Sequence, residues 1–338
     1  MNILGIESSC DETAAAVVKD GHCIQSTVVA SQIQVHHRYG GVVPELASRK
    51  HIEAIVPVVD QALTEARLPL SDIEAIAVTR GPGLVGALLV GFSFAKSLAY
   101  GLQIPWVGVN HLEGHIYSVF LEPDPPSFPY IALLVSGGHT SIYYVTDPTA
   151  AEMMGQTRDD AAGEAFDKVA KMLDLGYPGG SIIDRLAGDG DGTKIKFPRT
   201  YLDKSTFDFS FSGLKTAVLR YITTHPQALQ EQIPDIAAGF QEAALDVLTY
   251  KAIRAAAEKD CDRIALVGGV AANSRLREKL TTDAGRKGIR VHIPSIPLCG
   301  DNAAMIAGVG YHYLKAGMVA ESGDDVFSRQ KMIREKVS

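Results

Sequence analysis

The chain has 338 residues, 46% of them hydrophobic and 21% charged, a length that suits two packed lobes better than one core. Its 32 basic and 39 acidic residues leave a formal charge of −7, which excludes a protein that grips nucleic acid over its whole surface. Cys10, Cys23, Cys261 and Cys299 form no CxxC pair, which argues against a thiolate zinc site and against a disulfide framework.

Any RNA contact must then use a local basic strip or a partner's surface. Arg49 with Lys50, then Lys194, Lys196 and Arg199, and then Arg329, Lys331, Arg334 and Lys336 are the candidates, though each cluster also reads as ordinary solvated charge. The opening residues carry neither a basic leader nor a sustained apolar stretch, so no secretory signal is expected. The apolar run 81–95 stops at Lys96, short of the roughly 20 residues a membrane span needs, and reads as a buried helix. A soluble, cytoplasmic chain without a membrane partner is expected.

In chain order, residues 2–7, 14–18 and 23–30 read as strands, separated by a small polar turn and by the hairpin pair Asp20-Gly21. Apolar residues Leu46, Ile52, Ile55, Val59 and Leu63 predict a helix ending near Ala66. A buried strand over 73–79 runs into Gly81-Pro82-Gly83, a helix follows over 85–100, and 106–109 is another strand. The pattern then restarts: strand 130–135, the turn Ser136-Gly137-Gly138-His139-Thr140, strand 141–145. Helices are expected over 164–173, 214–223 and 236–257, a strand over 263–267, a helix from about Ser274, a strand over 291–293 and a last helix over 303–314. This repeated strand–turn–strand unit predicts an α/β fold of two related lobes facing each other across a cleft.

Small-residue turns follow strands at Ser8-Ser9, Gly81-Pro82-Gly83, Ser136-Gly137-Gly138 and Gly268-Gly269, as a nucleotide site built on free backbone amides would require. None fits the P-loop or the Rossmann fingerprint. Within Asn110-His111-Leu112-Glu113-Gly114-His115, the two histidines project from one helix face and offer a shared metal site. Asp301, at the start of the final helix, is the best-placed acid for a third ligand, and such a set leaves open positions suited to catalysis. A zinc protease would need its glutamate directly after the first histidine, whereas Glu113 lies about 200° around the helix from it. Asp11 and Glu12, in the first polar turn, offer proton acceptors or a cation site, and also read as a solvated Asx turn. Asp167 and Asp184 are placed to bind ribose hydroxyls, or to cap helices.

These stretches carry a resemblance. Residues 5–13, Gly41-Val42-Val43-Pro44-Glu45, Gly81-Pro82-Gly83-Leu84, the run 96–115, Ser136-Gly137-Gly138-His139-Thr140, Phe209-Ser210-Phe211-Ser212-Gly213-Leu214-Lys215, Gly268-Gly269-Val270-Ala271-Ala272-Asn273 and Gly300-Asp301-Asn302 together resemble the TsaD family over nearly the whole length. The resemblance implies two actin-like (RNase H-like) lobes, 1–115 plus 297–338 and 116–296. It implies transfer of a threonylcarbamoyl group from threonylcarbamoyl-AMP to the exocyclic amine of the adenosine 3′ to the anticodon in tRNAs reading ANN codons, with release of AMP. It further implies a metal on His111, His115 and Asp301, iron(II) or alternatively zinc, and an adenylate or ATP-type nucleotide in the cleft. Donor contacts are implied at Leu134, Val135, Ser136, Gly137, Gly138, Asp167, Gly180, Asp184 and Asn273. In such a transfer Asp11 is the candidate for accepting the amine proton or fixing its approach, with Glu12 in support. Archaeal and eukaryotic relatives carry tyrosine where this chain has Leu134, which marks a bacterial-type member. The implied partners are tRNA, a paralogous actin-like subunit of the TsaB type, a small ATPase of the TsaE type, and a TsaC/Sua-type enzyme that makes the donor. The alternative activities are an actin-like small-molecule kinase and a metalloprotease.

Overall fold

The computed structural model describes residues 1–201, 205–226 and 229–329. The chain divides into two compact units, Met1–Pro125 with Asp147–Ala150 and Pro294–Ser338, and Pro126–Thr146 with Ala151–Ile293.

The first unit is built on a meander of β1 (Asn2–Glu7), β2 (Glu12–Lys19) and β3 (Cys23–Ser31), with Asp20 and Gly21 both at positive φ in its second turn. Strand β4 (Ala75–Gly81) then pairs parallel to β1, and β5 (Trp106–Asn110) parallel to β4, giving the order β3-β2-β1-β4-β5. Both faces of the central strands are covered, which is why β1, β2 and β4 are mostly apolar, whereas the edge strand β3 is largely exposed or half-buried. Leu4, Ile6, Ile76 and Val78 face a cluster with α2 (Pro44–Ala66) and α3 (Val85–Leu102), following the short α1 (Ile33–His37). Ile3, Ala75 and Ala77 face the opposite way, against α11 (Ala303–Lys315), beside α4 (His111–Tyr117).

Gly5 lies on the α11 face of β1. A Cβ there would sit 2.2 Å from the Ala303 carbonyl oxygen, so glycine is what allows the N-terminus of α11 to rest on the strand. Likewise, a Cβ on Gly114 would meet Ile306 and Met305, so α4 is pressed against the same helix. Helix α3 starts where the expected 85–100 helix does and runs two residues further. It has the length and composition of a membrane span, and only one face, with Ala87, Leu88, Gly91, Phe92, Ala95 and Ala99, is buried.

The second unit repeats the plan. Strands β6 (Tyr130–Val135), β7 (Thr140–Asp147) and β8 (Ala150–Gln156) come first, then β9 (Arg263–Val267) parallel to β6 and β10 (Arg290–His292) parallel to β9. The order β10-β9-β6-β7-β8, taken from its other edge, is that of the first sheet. Around it lie α5 (Ala162–Met172), α6 (Gly179–Ala187), α7 (Ser212–Thr224), α8 (Leu229–Glu258) and α9 (Ser274–Gly285), while the four-residue α10 (Ile296–Cys299) belongs to the first unit. Strand β8 and helices α1, α6 and α10 are additions to the elements expected from sequence.

Candidate metal centre and glycine-turn site

In open α/β sheets, ligands bind outside the carboxyl ends of the parallel strands. In the first unit those ends are Glu7 of β1, Gly81 of β4 and Asn110 of β5. Asn110 caps α4 by accepting from the Leu112 amide at 2.9 Å, which starts the helix at His111. One helical turn then brings the His111 and His115 rings to 4.7 Å between centroids, nearly perpendicular to each other. Asp301, just before α11, reaches them through one oxygen, 3.1 Å from His115 Nε2 and 3.5 Å from His111 Nε2. The three candidate ligand atoms lie within 4.8 Å of one another. Two imidazoles and one carboxylate make a donor set that suits a divalent transition metal with open positions.

The electrostatics of this group are tightly linked. Burial alone would lower His111, but Asp301 and Glu7 hold it well above the ordinary histidine value. Burial would raise Asp301 and Glu7, yet His111 keeps both below the ordinary carboxylate range. Nearby, burial and then the charges of Asp11 and Asp301 push Glu12 up to about 9. The Glu12 carboxyl also accepts from Ser31 Oγ at 3.1 Å, and the Asp11 carbonyl accepts from the Gln32 amide.

In the second unit the corresponding ends are those of β6 and β9. Leu134 and Val135 are wholly buried in β6, and Ser136, Gly137 and Gly138 form the turn beyond it. No atom lies within 4 Å of a Cβ built on Gly137, Gly138 or Gly180, so backbone at these points is open to a ligand. Asp167 accepts from the Gly179 amide at 2.7 Å and pins the start of α6 to α5. Asn273 caps α9 through the Leu276 amide and donates to Gln241, while Asp184 accepts from the amide and hydroxyl of Ser274. These polar side chains are therefore already engaged in ordering the site.

A model of the TsaD family, described as tRNA N6-adenosine threonylcarbamoyltransferase, matches residues 23–308. The tRNA N6-adenosine threonylcarbamoyltransferase of Desulforapulum autotrophicum is 59% identical, covering 98% of this chain and 100% of its own. That of Syntrophus aciditrophicus is 55% identical over 97% of each chain. The chain belongs to the TsaD family. Among solved structures it is similar to full-length HypF in its phosphate- and nucleotide-bound form, at a TM-score of 0.63 and 15% identity, over 93% of this chain and 46% of that one. It is also similar to the activator of 2-hydroxyisocaproyl-CoA dehydratase from Clostridium difficile with bound ADPNP, at 0.55 and 16%, over 94% and 97%. At such identities the likeness speaks for the fold alone, which in this TsaD chain is the actin-like α/β fold.

Several residues of the TsaD chain that sequence reasoning passed over shape the centre. Glu7, completely buried, binds the far side of His111 beside the Ser9 hydroxyl, and itself accepts from the Ser9 amide and the Thr79 hydroxyl. Its signal was available, since a carboxylate closing an otherwise apolar strand needs a partner. Glu113 accepts from the Tyr313 hydroxyl of α11, so it is held by that helix. Of the basic clusters, Arg49 pairs with Glu45, Lys50 with Glu53, Lys194 with Asp235 and Arg199 with Asp246, so four of those charges are locally neutralised. Lys331, Arg334 and Lys336 lie outside the described residues.

Proposed function

We propose that this tRNA N6-adenosine threonylcarbamoyltransferase works from a metal centre on His111, His115 and Asp301, with Asp11 and Glu12 beside it. The observation that carries the reading is the meeting of these three side chains, two from one helical turn and one from a segment far along the chain. Transfer joins the N6 amine of a tRNA adenosine to the carbamoyl carbon of the donor, for which we take threonylcarbamoyl-AMP. The bond from that carbon to the phosphate oxygen breaks, AMP departs, and the amine gives up a proton. An aromatic exocyclic amine is a poor nucleophile, so placement and polarisation matter most.

A divalent ion on the three residues, iron(II) in our reading with zinc as the alternative, supplies a Lewis acid and a template for the donor. Asp11 is the group assigned to accept the amine proton or to fix its approach, with Glu12 in support. The adenylate half of the donor falls to the second unit. The open Gly137, Gly138 and Gly180 backbone suits its phosphate, and Asp167, Asp184 and Asn273 suit its ribose and base. Leu134 and Val135 hold the turn on its strand. The adenosine acceptor is assigned to the position 3′ of the anticodon in tRNAs reading ANN codons.

A TsaB-type paralogue, a TsaE-type ATPase and a separate TsaC/Sua-type donor-forming enzyme are proposed partners in the cytoplasm. The paralogue is supported by exposed Ile52 and Val56 on α2 and Val85 and Leu89 on α3, helices that touch where Gly86 meets Ser48.

The test is reconstitution with iron(II), threonylcarbamoyl-AMP, tRNA and those partners, followed by mass spectrometry of tRNA nucleosides. Wild type is expected to yield threonylcarbamoyladenosine, and the His111→Ala/His115→Ala variant to lose both bound metal and product. Wild-type turnover by that metal-free variant would overturn the centre.

A further inference from the structure

We propose that Glu7 is the positioning residue of the centre: it holds the Nδ1 proton of His111 and thereby commits Nε2 to the metal. The proposal rests on the metal centre described above and assigns a residue outside its three ligands.

The geometry around Glu7 is fully specified. Its Oε1 accepts from the Ser9 amide at 2.5 Å, and its Oε2 accepts from Thr79 Oγ1 at 2.5 Å and from His111 Nδ1 at 3.0 Å. Glu7 and Thr79 are both 0% exposed. Ile6 of β1 is paired with Val78 of β4, so the next residues on the two strands, Glu7 and Thr79, are neighbours by register. Two donors of fixed position therefore orient the carboxylate before His111 reaches it. Ser9 Oγ lies 3.3 Å from the same ring nitrogen.

An ionised carboxylate only accepts, so the nitrogen facing it must carry hydrogen. That leaves Nε2 as the nitrogen on the Asp301 side, where a metal can replace its proton. Among the described residues His115 has no such support, because its Nδ1 is buried without a hydrogen-bond partner there. One imidazole of the pair is thus aimed by a carboxylate and the other by its helix alone. Carboxylates that fix a ligating histidine in this way typically account for roughly a ten- to hundredfold gain in metal affinity.

Glu7→Gln makes a sharp test because it keeps the shape and removes one acceptor. The Ser9 amide can only donate, so it claims the single amide oxygen. The new NH₂ group then faces Thr79, which can accept, and His111, whose Nδ1 must become a lone pair. The proton is driven to Nε2, the atom the metal needs.

The decisive measurement is a long-range ¹H–¹⁵N spectrum of the zinc-loaded full chain, with the His111 ring assigned by comparison with His111→Gln. A protonated, non-ligating Nδ1 on His111 is expected, and ligation through Nδ1 would overturn the proposal whether or not any Glu7 variant folds. Zinc affinity, measured by competition with a chelating dye, should fall roughly ten- to hundredfold in Glu7→Gln. Thr79→Val, which removes one of the two fixed donors, should fall by a smaller factor. Unchanged affinity in a folded Glu7→Gln would also overturn it. Failure of wild type to bind zinc at all would instead remove the centre itself, a separate result from normal binding through the wrong nitrogen.

Discussion

Gly5→Ala adds no group to the chemistry yet should weaken the proposed metal centre. The new Cβ would lie 2.2 Å from the Ala303 carbonyl oxygen and 3.0 Å from Ala307 Cβ. The first of these is backbone, so no rotamer change relieves it. Restoring ordinary contact needs α11 to retreat by roughly 1 Å, and overpacking of this kind costs about 1–3 kcal/mol. For a domain of 150–250 residues that is about 2–4 °C in melting temperature for each kcal/mol. Asp301 sits two residues before Ala303 and moves with it. Metal–ligand distances tolerate only about 0.2 Å, so a shift of this size should weaken zinc binding at least tenfold, as estimated from ligand-distance tolerances. Differential scanning calorimetry and dye competition on the same sample read both effects. The control is Gly91→Ala, whose Cβ would press on the Ser8 side chain and touch Ile6 Cγ2 at 3.4 Å, side-chain atoms rather than the backbone on which α11 is seated. A Gly5→Ala protein that melts lower yet binds zinc as wild type would refute the idea that the seat of α11 places Asp301.

Glu12 gives a pH signature in metal-free protein. Its folded value of about 9 exceeds the ordinary 4.5, so its contribution to stability is complete below about 4.5 and is lost as pH rises towards 9. Glu12→Gln should therefore gain melting temperature over wild type increasingly between pH 5 and pH 8.5, and a constant difference would sink the assignment. Asp11→Ala should lower turnover much more than donor affinity, and equal losses in both would remove Asp11 from the proton step. Lys251, wholly buried on α8, donates to the carbonyls of Thr206 and Asp208 over the Phe209 ring. Lys251→Met should destabilise the second unit by about 1–3 kcal/mol in urea titration, and an unchanged midpoint would show the ammonium to be dispensable.

Much of the architecture can be read from the chain because both sheets are covered on two faces, which writes long apolar runs such as 2–6 and 130–135. Strand β8 escapes because Ala-Ala-Glu-Met-Met-Gly-Gln has neither alternation nor β-branched residues and lies at a sheet edge. Helix α6 escapes because Gly179-Gly180 reads as a turn, although Asp167 turns it into a helix start. Helix α1 has only five residues, too few for a period. At the centre, the His111–His115 pairing is local and legible, since four residues make one turn. The meeting with Asp301 depends on α11 lying against Gly5 and Gly114, and nothing in the spacing encodes that. Other polar side chains serve order. Asp159 accepts from the hydroxyl of Ser210 and the amides of Phe211 and Ser212, and Asp160 pairs with Lys168 and Lys215. The Phe209–Lys215 stretch that helps identify the family is thereby tied to the loop before α5.

The order of synthesis follows from the way the first unit is assembled from separated pieces. A nascent polypeptide exposes His111 and His115 early, but their carboxylate companion emerges only after the whole of β6 to β10 has left the ribosome. In the proposed centre, capture of an ion by all three donors would therefore wait until Asp301 and the α11 that seats it have been translated. A chain truncated before that point would offer two imidazoles without the third donor.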